Sequence, residues 1–444
     1  MTDATLPNHT IADHIRRTLT LAWPVMLSRL GLVGFATADV IVLGRAGAQE
    51  LADYALGLAI YDSLMAAMAG LLLGVGVLTA RETGAARDGA AGTILRRGIL
   101  YGLLVGVGMG LLLQFAESGF LLLQQEPGQA ASAAAVTRMV AFALPFFAVF
   151  FCCASWLEAL HHPKVGMWAV ALANISNLAF NILFVFVFDM GAVGAALATV
   201  LNSLLLAAGL WLYIHRIFPQ RNRYGVGERN DAPPAIEQYR IGFGGGLSFT
   251  FEAGAFVMMT LFVGWLGTLA LATHAVLFQL LATVFMAAFG IASAVQVRVG
   301  NAWGRGDARG MALAGWTGLG MCTAMLLVAM VAFLLLPLPA LRLFTTDPAV
   351  LAAAAPVMIW MTLALLCDGN QTIMSHACRG RGDTWVPTAL HLVSYWVVMV
   401  PAGYLFAIRW EHGVAGIYQG ILVASIVSVT LMSLRFRVLT KRGV

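Results

Sequence analysis

Charge is scarce in this sequence. Asp, Glu, Lys and Arg make up 11% of its 444 residues, against about a quarter in ordinary soluble domains. Hydrophobic residues make up 60% and mean hydropathy is +0.85, a balance that water does not tolerate and a bilayer requires. Cysteine is also sparse: Cys152, Cys153, Cys322, Cys367 and Cys378 have neither metal-site spacing nor a disulfide framework and read as small apolar fillers. There is no Walker loop, no metal-spaced His/Cys set and no nucleophile elbow. We therefore expect no enzyme, no cofactor and no direct use of ATP. No joint is long enough to house the polar catalytic loop of a membrane glycosyltransferase. Residues 1–17 carry Asp3, Asp13, Arg16 and Arg17 without a signal-peptide cleavage pattern and read as a cytoplasmic lead-in.

What is present is a series of long apolar runs, each able to cross a hydrocarbon layer about 30 Å thick. They fall at approximately 18–44, 53–79, 94–116, 134–158, 165–188 and 191–215, then 241–265, 270–297, 310–336, 349–376, 386–408 and 413–434. Basic residues gather in alternate joints. Arg81, Arg87, Arg96 and Arg97 follow the second run and Lys164 the fourth. Arg216, Arg221, Arg223, Arg229 and Arg240 surround the central joint. Arg298, Arg305 and Arg309 follow the eighth run, Arg379 and Arg381 the tenth, and Arg435, Arg437, Lys441 and Arg442 the last. The other joints carry only Arg45, Arg342 and Arg409. Positive charge resists translocation, so every even joint and both termini are expected on the cytoplasmic side. The net charge of +5 is thus a topological signal and implies no nucleic-acid partner.

A shift of 220 positions lays the first half on the second: Leu27-Ser28 on Leu247-Ser248, Gly44 and Gly47 on Gly264 and Gly267, Gly70 on Gly290, and Gly84 on Gly304. Six runs per half is an even number, so the repeat is parallel, about an axis along the membrane normal. The expected fold is an all-α polytopic membrane protein of about twelve transmembrane helices in two six-helix lobes. The amino-terminal lobe is 1–217, the polar cytoplasmic linker 218–240 and the carboxy-terminal lobe 241–444. Repeats of this kind place a substrate path between lobes.

Ionisable residues inside spans are costly and therefore informative. Glu252 lies near the middle of the seventh run, Asp39 in the outer part of the first and Asp368 in the inner part of the tenth. Each could be satisfied by neighbours or by nearby water, or could serve a cation or a proton. Asp62 and Arg29 read as a pair joining the first two helices. His274 and His391 read as packing residues. In the fifth run, Asn177 and Asn181 are four apart and share a face, with Asn174 one turn before Asn177. Their amides either bind neighbouring helices or, with Asp39 and Thr199 nearby, form an oxygen-lined site for a hard cation. Met258, Met259, Met286, Phe256, Phe278 and Phe285 would give a cavity soft, adaptable walls.

At these residues the chain resembles the multidrug and toxic compound extrusion (MATE) family, in its NorM-like bacterial branch. The resemblance spans nearly the whole chain. It is carried by Pro24, Ala38-Asp39-Val40 and Gly44, by Gly194–Thr199, and by Gly246-Leu247-Ser248 with Glu252. The most specific stretch is Arg298-Val299-Gly300-Asn301-Ala302-Trp303-Gly304-Arg305-Gly306-Asp307, followed by Cys367-Asp368 and Arg379-Gly380-Arg381-Gly382-Asp383. The resemblance implies two six-helix lobes set as a V in a bacterial inner membrane. It also implies a monomer that exports often cationic, amphipathic small molecules in exchange for Na+ or H+. It assigns Asp39, Asn177, Asn181 and Thr199 to an amino-terminal cation site and Glu252 and Asp368 to an acidic pair in the carboxy-terminal lobe. Asn174 and Asp62 are subsidiary candidates. This chain departs from many relatives in having Asn181 for an aspartate, Gly244 for a proline, and Arg29 for a neutral polar residue. A lipid-linked-precursor flippase of the same broad superfamily is the alternative, but its cavity would need basic residues, and the deep charges here are mostly acidic.

Overall fold

A computed structural model describes residues 11–441 apart from 123. Asp3 and Arg442 of the expected cytoplasmic ends lie outside the described residues. Helix accounts for nearly all of it, as apolar runs of this length require when every backbone group must be satisfied within the segment. The spans are α1 Ala12–Ala46, α2 Ala48–Gly84, α3 Ala90–Leu113, α4 Pro127–Ala141 with Ala143–Ala159, α5 Pro163–Val187 and α6 Gly191–Ile217. They continue as α7 Ala235–Trp265, α8 Thr268–Gly304, α9 Ala308–Leu335, α10 Pro348–Gly380, α11 Trp385–Arg409 and α12 Gly413–Lys441. Eleven are continuous, and α4 makes the twelfth as a pair bent by 40°. Every expected span is found, mostly longer than its hydropathy alone indicates.

The repeat is written in the backbone as well as the sequence. Left-handed φ values recur in pairs: Gly47 (153°) with Gly267 (104°), Ala86 (59°) with Gly306 (76°), His161 (65°) with Gly382 (85°), Asp189 (54°) with Glu411 (60°), and Gly191 (53°) with Gly413 (57°). The first two pairs are 220 residues apart, the third 221 and the last two 222, by subtraction of those positions. A single ungapped shift therefore holds through the first two helices of each half and then drifts by two residues. Wide π turns end both α5 (Ile182–Val187) and α11 (Leu405–Arg409).

The chain divides into two compact units, and the division does not follow the central joint. One unit is Leu27–Ala253; the other comprises the described part of Met1–Met26 together with Gly254–Val444. The boundaries fall inside α1, two residues after Pro24, and inside α7. Each unit thus includes the first part of a helix whose remainder belongs to the other half of the sequence.

Close glycine packing explains why these helix segments cross over. In the first unit a methyl group at Gly70 of α2 would stand 2.5 Å from the Gly245 carbonyl oxygen and 2.7 Å from the Gly246 Cα. Only an absent side chain permits so close an approach. Glu237 at the start of α7 is ion-paired with Arg81 at 2.5 Å, and Gln238 donates to the Ile94 carbonyl at 3.1 Å. In the second unit Gly290 of α8 meets the Met26 backbone in the same way, with a methyl carbon there only 2.8 Å from the Met26 nitrogen. Gly70 and Gly290 are 220 apart, as are Met26 and Gly246, so the repeat preserves the crossing. The buried Arg298 of α8 holds the start of α1, donating to the His14 carbonyl at 2.9 Å and to the Thr18 hydroxyl.

The central joint, expected as a polar linker, is folded against α3. Residues 218–234 cover the start of α3: Gly92 donates to the Tyr224 carbonyl at 2.7 Å, Thr93 to the Asn230 carbonyl at 3.0 Å and Arg97 to the Pro233 carbonyl at 2.6 Å. Phe218 and Tyr224 pack edge-on against buried Trp156 at 5.7 and 6.0 Å between centroids.

Candidate functional site

The first site lies in the unit Leu27–Ala253, where α1, α2, α5 and α6 converge on Asp39. This carboxylate is 3% exposed. Tyr54 of α2 donates to its Oδ2 at 2.5 Å and Asn181 of α5 to its Oδ1 at 2.6 Å. The Thr199 hydroxyl of α6 is 3.5 Å from Oδ2. Asn181 also donates to the Asn177 backbone carbonyl at 3.0 Å and side-chain Oδ1 at 3.2 Å, as the four-residue spacing on one helix face requires. The four residues expected together from the sequence are indeed adjacent.

Two atoms of the cluster stand out. Asn181 Oδ1 and Asn177 Nδ2 are buried and have no hydrogen-bond partner among the described residues. A buried amide left half-satisfied is unusual, and it marks either strain or a site that receives something else. Rotating either amide exchanges its donor for its acceptor. The cluster can therefore offer carboxylate, amide, hydroxyl and phenol oxygens, the donor set a hard cation prefers. It can equally hold a proton on Asp39. Among the described residues no group of three or more His, Cys, Asp or Glu has metal-binding geometry, so any ion here would be held mainly by neutral oxygens around one acid.

Tyr54 is the member that sequence reasoning missed. A tyrosine in an apolar helix must find a partner for its hydroxyl once buried, and Tyr54 is 2% exposed. That requirement was visible in the sequence; the identity of the partner was not. Asn174, one turn earlier on α5, serves packing: its amide donates to the Gly31 carbonyl at 3.0 Å and the Val170 carbonyl at 2.9 Å, joining α5 to α1.

The second site lies in the other unit, among α10, α11 and α12. Asp368 Oδ1 accepts from Tyr395 at 3.2 Å, Ser425 at 3.3 Å and Gln371 at 3.5 Å. Gln371 donates to the Tyr395 hydroxyl at 2.9 Å, and its carbonyl oxygen faces His391 Nε2 at 3.0 Å and the Ser428 hydroxyl at 3.3 Å. His391, expected to be a satisfied packing residue, is buried and finds its partner in the polar network around Asp368. The spacings carried that information in part: Asp368 and Gln371, Ser425 and Ser428, and His391 and Tyr395 each lie three or four apart on one helix face.

Glu252 is half-buried on α7, two residues before the boundary at Gly254, and by packing it belongs to the unit that holds Asp39. The two acids grouped in one lobe from the sequence thus fall in different units. The expected pair of Arg29 with Asp62 does not form. Arg29 instead lies 3.6 Å from Glu158 of α4 and over the Phe151 ring at 6.0 Å, because helices that look adjacent in sequence order need not turn those faces together. His274 packs against Phe278 and Tyr418 at 5.7 Å, as expected. Of the candidate cavity residues, Met259 is fully buried against Gly403, and Phe256 packs on Phe278 and Tyr395.

Twelve apolar spans in two parallel repeats, with carboxylates held inside the spans by neutral donors, have the build of a secondary membrane transporter. The MatE family model matches twice, over residues 24–183 and 246–405, segments whose starts and ends are both 222 apart. The chain belongs to the MATE family of membrane transporters, in its NorM-like branch. It is 37% identical to the probable multidrug resistance protein NorM of Caulobacter vibrioides, over 98% of this chain and 94% of that one. It is 30% identical to the protein of the same description from Brucella suis, over 94% and 92%. Among solved structures, a multidrug resistance MATE family transporter of the MOP superfamily in an outward-facing conformation superposes with a TM-score of 0.89 at 19% identity, covering 97% of this chain and 96% of that one. The eukaryotic MATE transporter AtDTX14 gives 0.88 at 17%, covering 97% and 98%.

Proposed function

We propose that this protein is a multidrug efflux antiporter of a bacterial inner membrane. It exports organic, often cationic compounds by alternating access, in exchange for inward Na+ or H+, with both termini cytoplasmic, as a monomer and without a cofactor. The relatives named for multidrug resistance support the substrate class. The observation that carries the coupling is the buried Asp39 cluster with its two unsatisfied amide atoms. A carboxylate surrounded by neutral donors can exchange a proton for a small cation without a change of fold, and each occupancy alters the local charge by a full unit. In a low-dielectric interior such a change is felt strongly by neighbouring groups. Asp368, with its three donors, supplies a second exchangeable charge in the other unit, and Glu252 a third near the α7 boundary.

The test is efflux of a fluorescent organic cation from proteoliposomes with a Na+ or a proton gradient imposed separately. One of the two gradients is expected to drive uphill export, and Asp39→Asn should abolish that coupled component. Equal export with no gradient, or unchanged gradient-driven export by the variant, would remove Asp39 from the mechanism.

A further inference from the structure

Asp62 is left over from the sites above, and its surroundings are unlike those of the other acids. It stands on α2 eight residues beyond Tyr54, about 12 Å further along the helix axis. It is exposed, and among the described residues it has neither a hydrogen bond nor an ion pair, since Arg29 pairs with Glu158. An exposed carboxylate within an apolar span either faces hydrocarbon, at a heavy cost, or lines a water-filled space.

The rest of α2 distinguishes these two settings. Its exposed positions around Asp62 are Ala55, Ala59 and Ser63, which with Asp62 form one continuous helical face of small and polar side chains. The lipid-type face is displayed by α3, whose Leu100, Leu104, Val107 and Leu111 are 57%, 74%, 48% and 62% exposed. Among the described residues α2 exposes no large hydrophobic side chain at all. A face of small and polar side chains around a carboxylate suits the wall of an aqueous space better than contact with lipid.

A second observation links this wall to the ion site. The neighbouring Tyr61 is 3% exposed and its hydroxyl is buried without a hydrogen-bond partner. Tyr54, which donates to Asp39, stands seven residues before Tyr61 on the same face of α2. Asp39 is closed to any large molecule by its burial. Asp62 is open to one.

We propose that Asp62 is the carboxylate that receives the exported organic cation, on the Ala55-Ala59-Ser63 face of α2, and that Tyr61 stands between this drug subsite and the Asp39 ion site. The inference deepens the antiporter reading and rests on it. A cation at Asp62 and a cation at Asp39 would oppose one another across the Tyr61 phenol, which is the exchange an antiporter needs.

The experiment measures binding of tetraphenylphosphonium, a permanent monovalent cation, and of the uncharged amphipath N-phenyl-1-naphthylamine to the purified full-length protein in nanodiscs. Asp62→Asn should weaken tetraphenylphosphonium binding by about tenfold or more, the loss of one charge contact, and leave the neutral probe within about twofold. Asp62→Glu should stay within about threefold of the unaltered protein for both. Ala59→Trp, at an exposed position that the fold leaves open, should also weaken the cation about tenfold by filling the space. Cation binding unchanged in Asp62→Asn or Ala59→Trp would overturn the proposal and leave the antiporter reading standing. So would equal loss of both probes in Asp62→Asn, which would mark a structural role. If the unaltered protein binds neither probe and exports no organic cation, the antiporter reading fails and the subsite with it.

Discussion

Asp39 shows how one charge inside a membrane is made tolerable. Its two oxygens are divided between a phenol from α2 and an amide from α5, neutral donors that offset part of the cost of burying the carboxylate. Hydrogen bonds to a charged group contribute about 1.5–3 kcal/mol, so under the proposed antiport Tyr54 would be among the residues that set ion affinity at Asp39. Tyr54→Phe keeps the ring and removes that one donor. We expect it to shift the half-saturating concentration of the coupling ion by about tenfold, in flux assays on reconstituted vesicles, with protein yield unchanged. An unaltered ion dependence would show the Tyr54 hydroxyl to be packing alone.

At the scale of elements, helix crossing is governed by the glycines that face one another. Gly70 on α2 and Gly245-Gly246 on α7 leave no room for a side chain, and the nearest obstacles are backbone atoms that cannot rotate away. Overpacking of this kind costs about 1–3 kcal/mol. Gly70→Val should therefore lower the midpoint of thermal unfolding in detergent by several degrees. Gly108→Ala on α3, where nothing lies within 4 Å, should leave it unchanged or slightly raised, because alanine is the better helix former by about 1 kcal/mol. Equal midpoints for the two variants would contradict the crossing geometry.

The whole molecule is organised by an exchange between its halves. The start of α7 packs within Leu27–Ala253 through Gly242, Gly245 and the Arg81–Glu237 pair, while the start of α1 packs with Gly254–Val444 under Arg298. Neither half is complete without the other's leading helix segment. A fragment ending at residue 253 should accordingly resist proteolysis in detergent several times longer than one ending at 217, which lacks both the folded joint and the α7 segment. Equal cleavage rates would argue against the exchange.

The sequence by itself determined the number of spans, their order, the parallel repeat and the family, because each rests on a one-dimensional quantity: the length of an apolar run, the sign of a joint, a recurring spacing. It also placed Asp39, Asn177, Asn181 and Thr199 together, since the family resemblance carried over a pattern of residues. Only tertiary structure decided which faces meet. It paired Arg29 with Glu158 rather than Asp62, put Tyr54 on Asp39, joined His391 to Asp368 through Gln371, and moved the unit boundaries from the central joint into α1 and α7. The physical reason is common to all four. A helix fixes the angles between its own side chains, but the rotation of one helix against another is set by packing. In this chain that packing is dictated by glycine contacts and by charges seeking partners far apart in sequence.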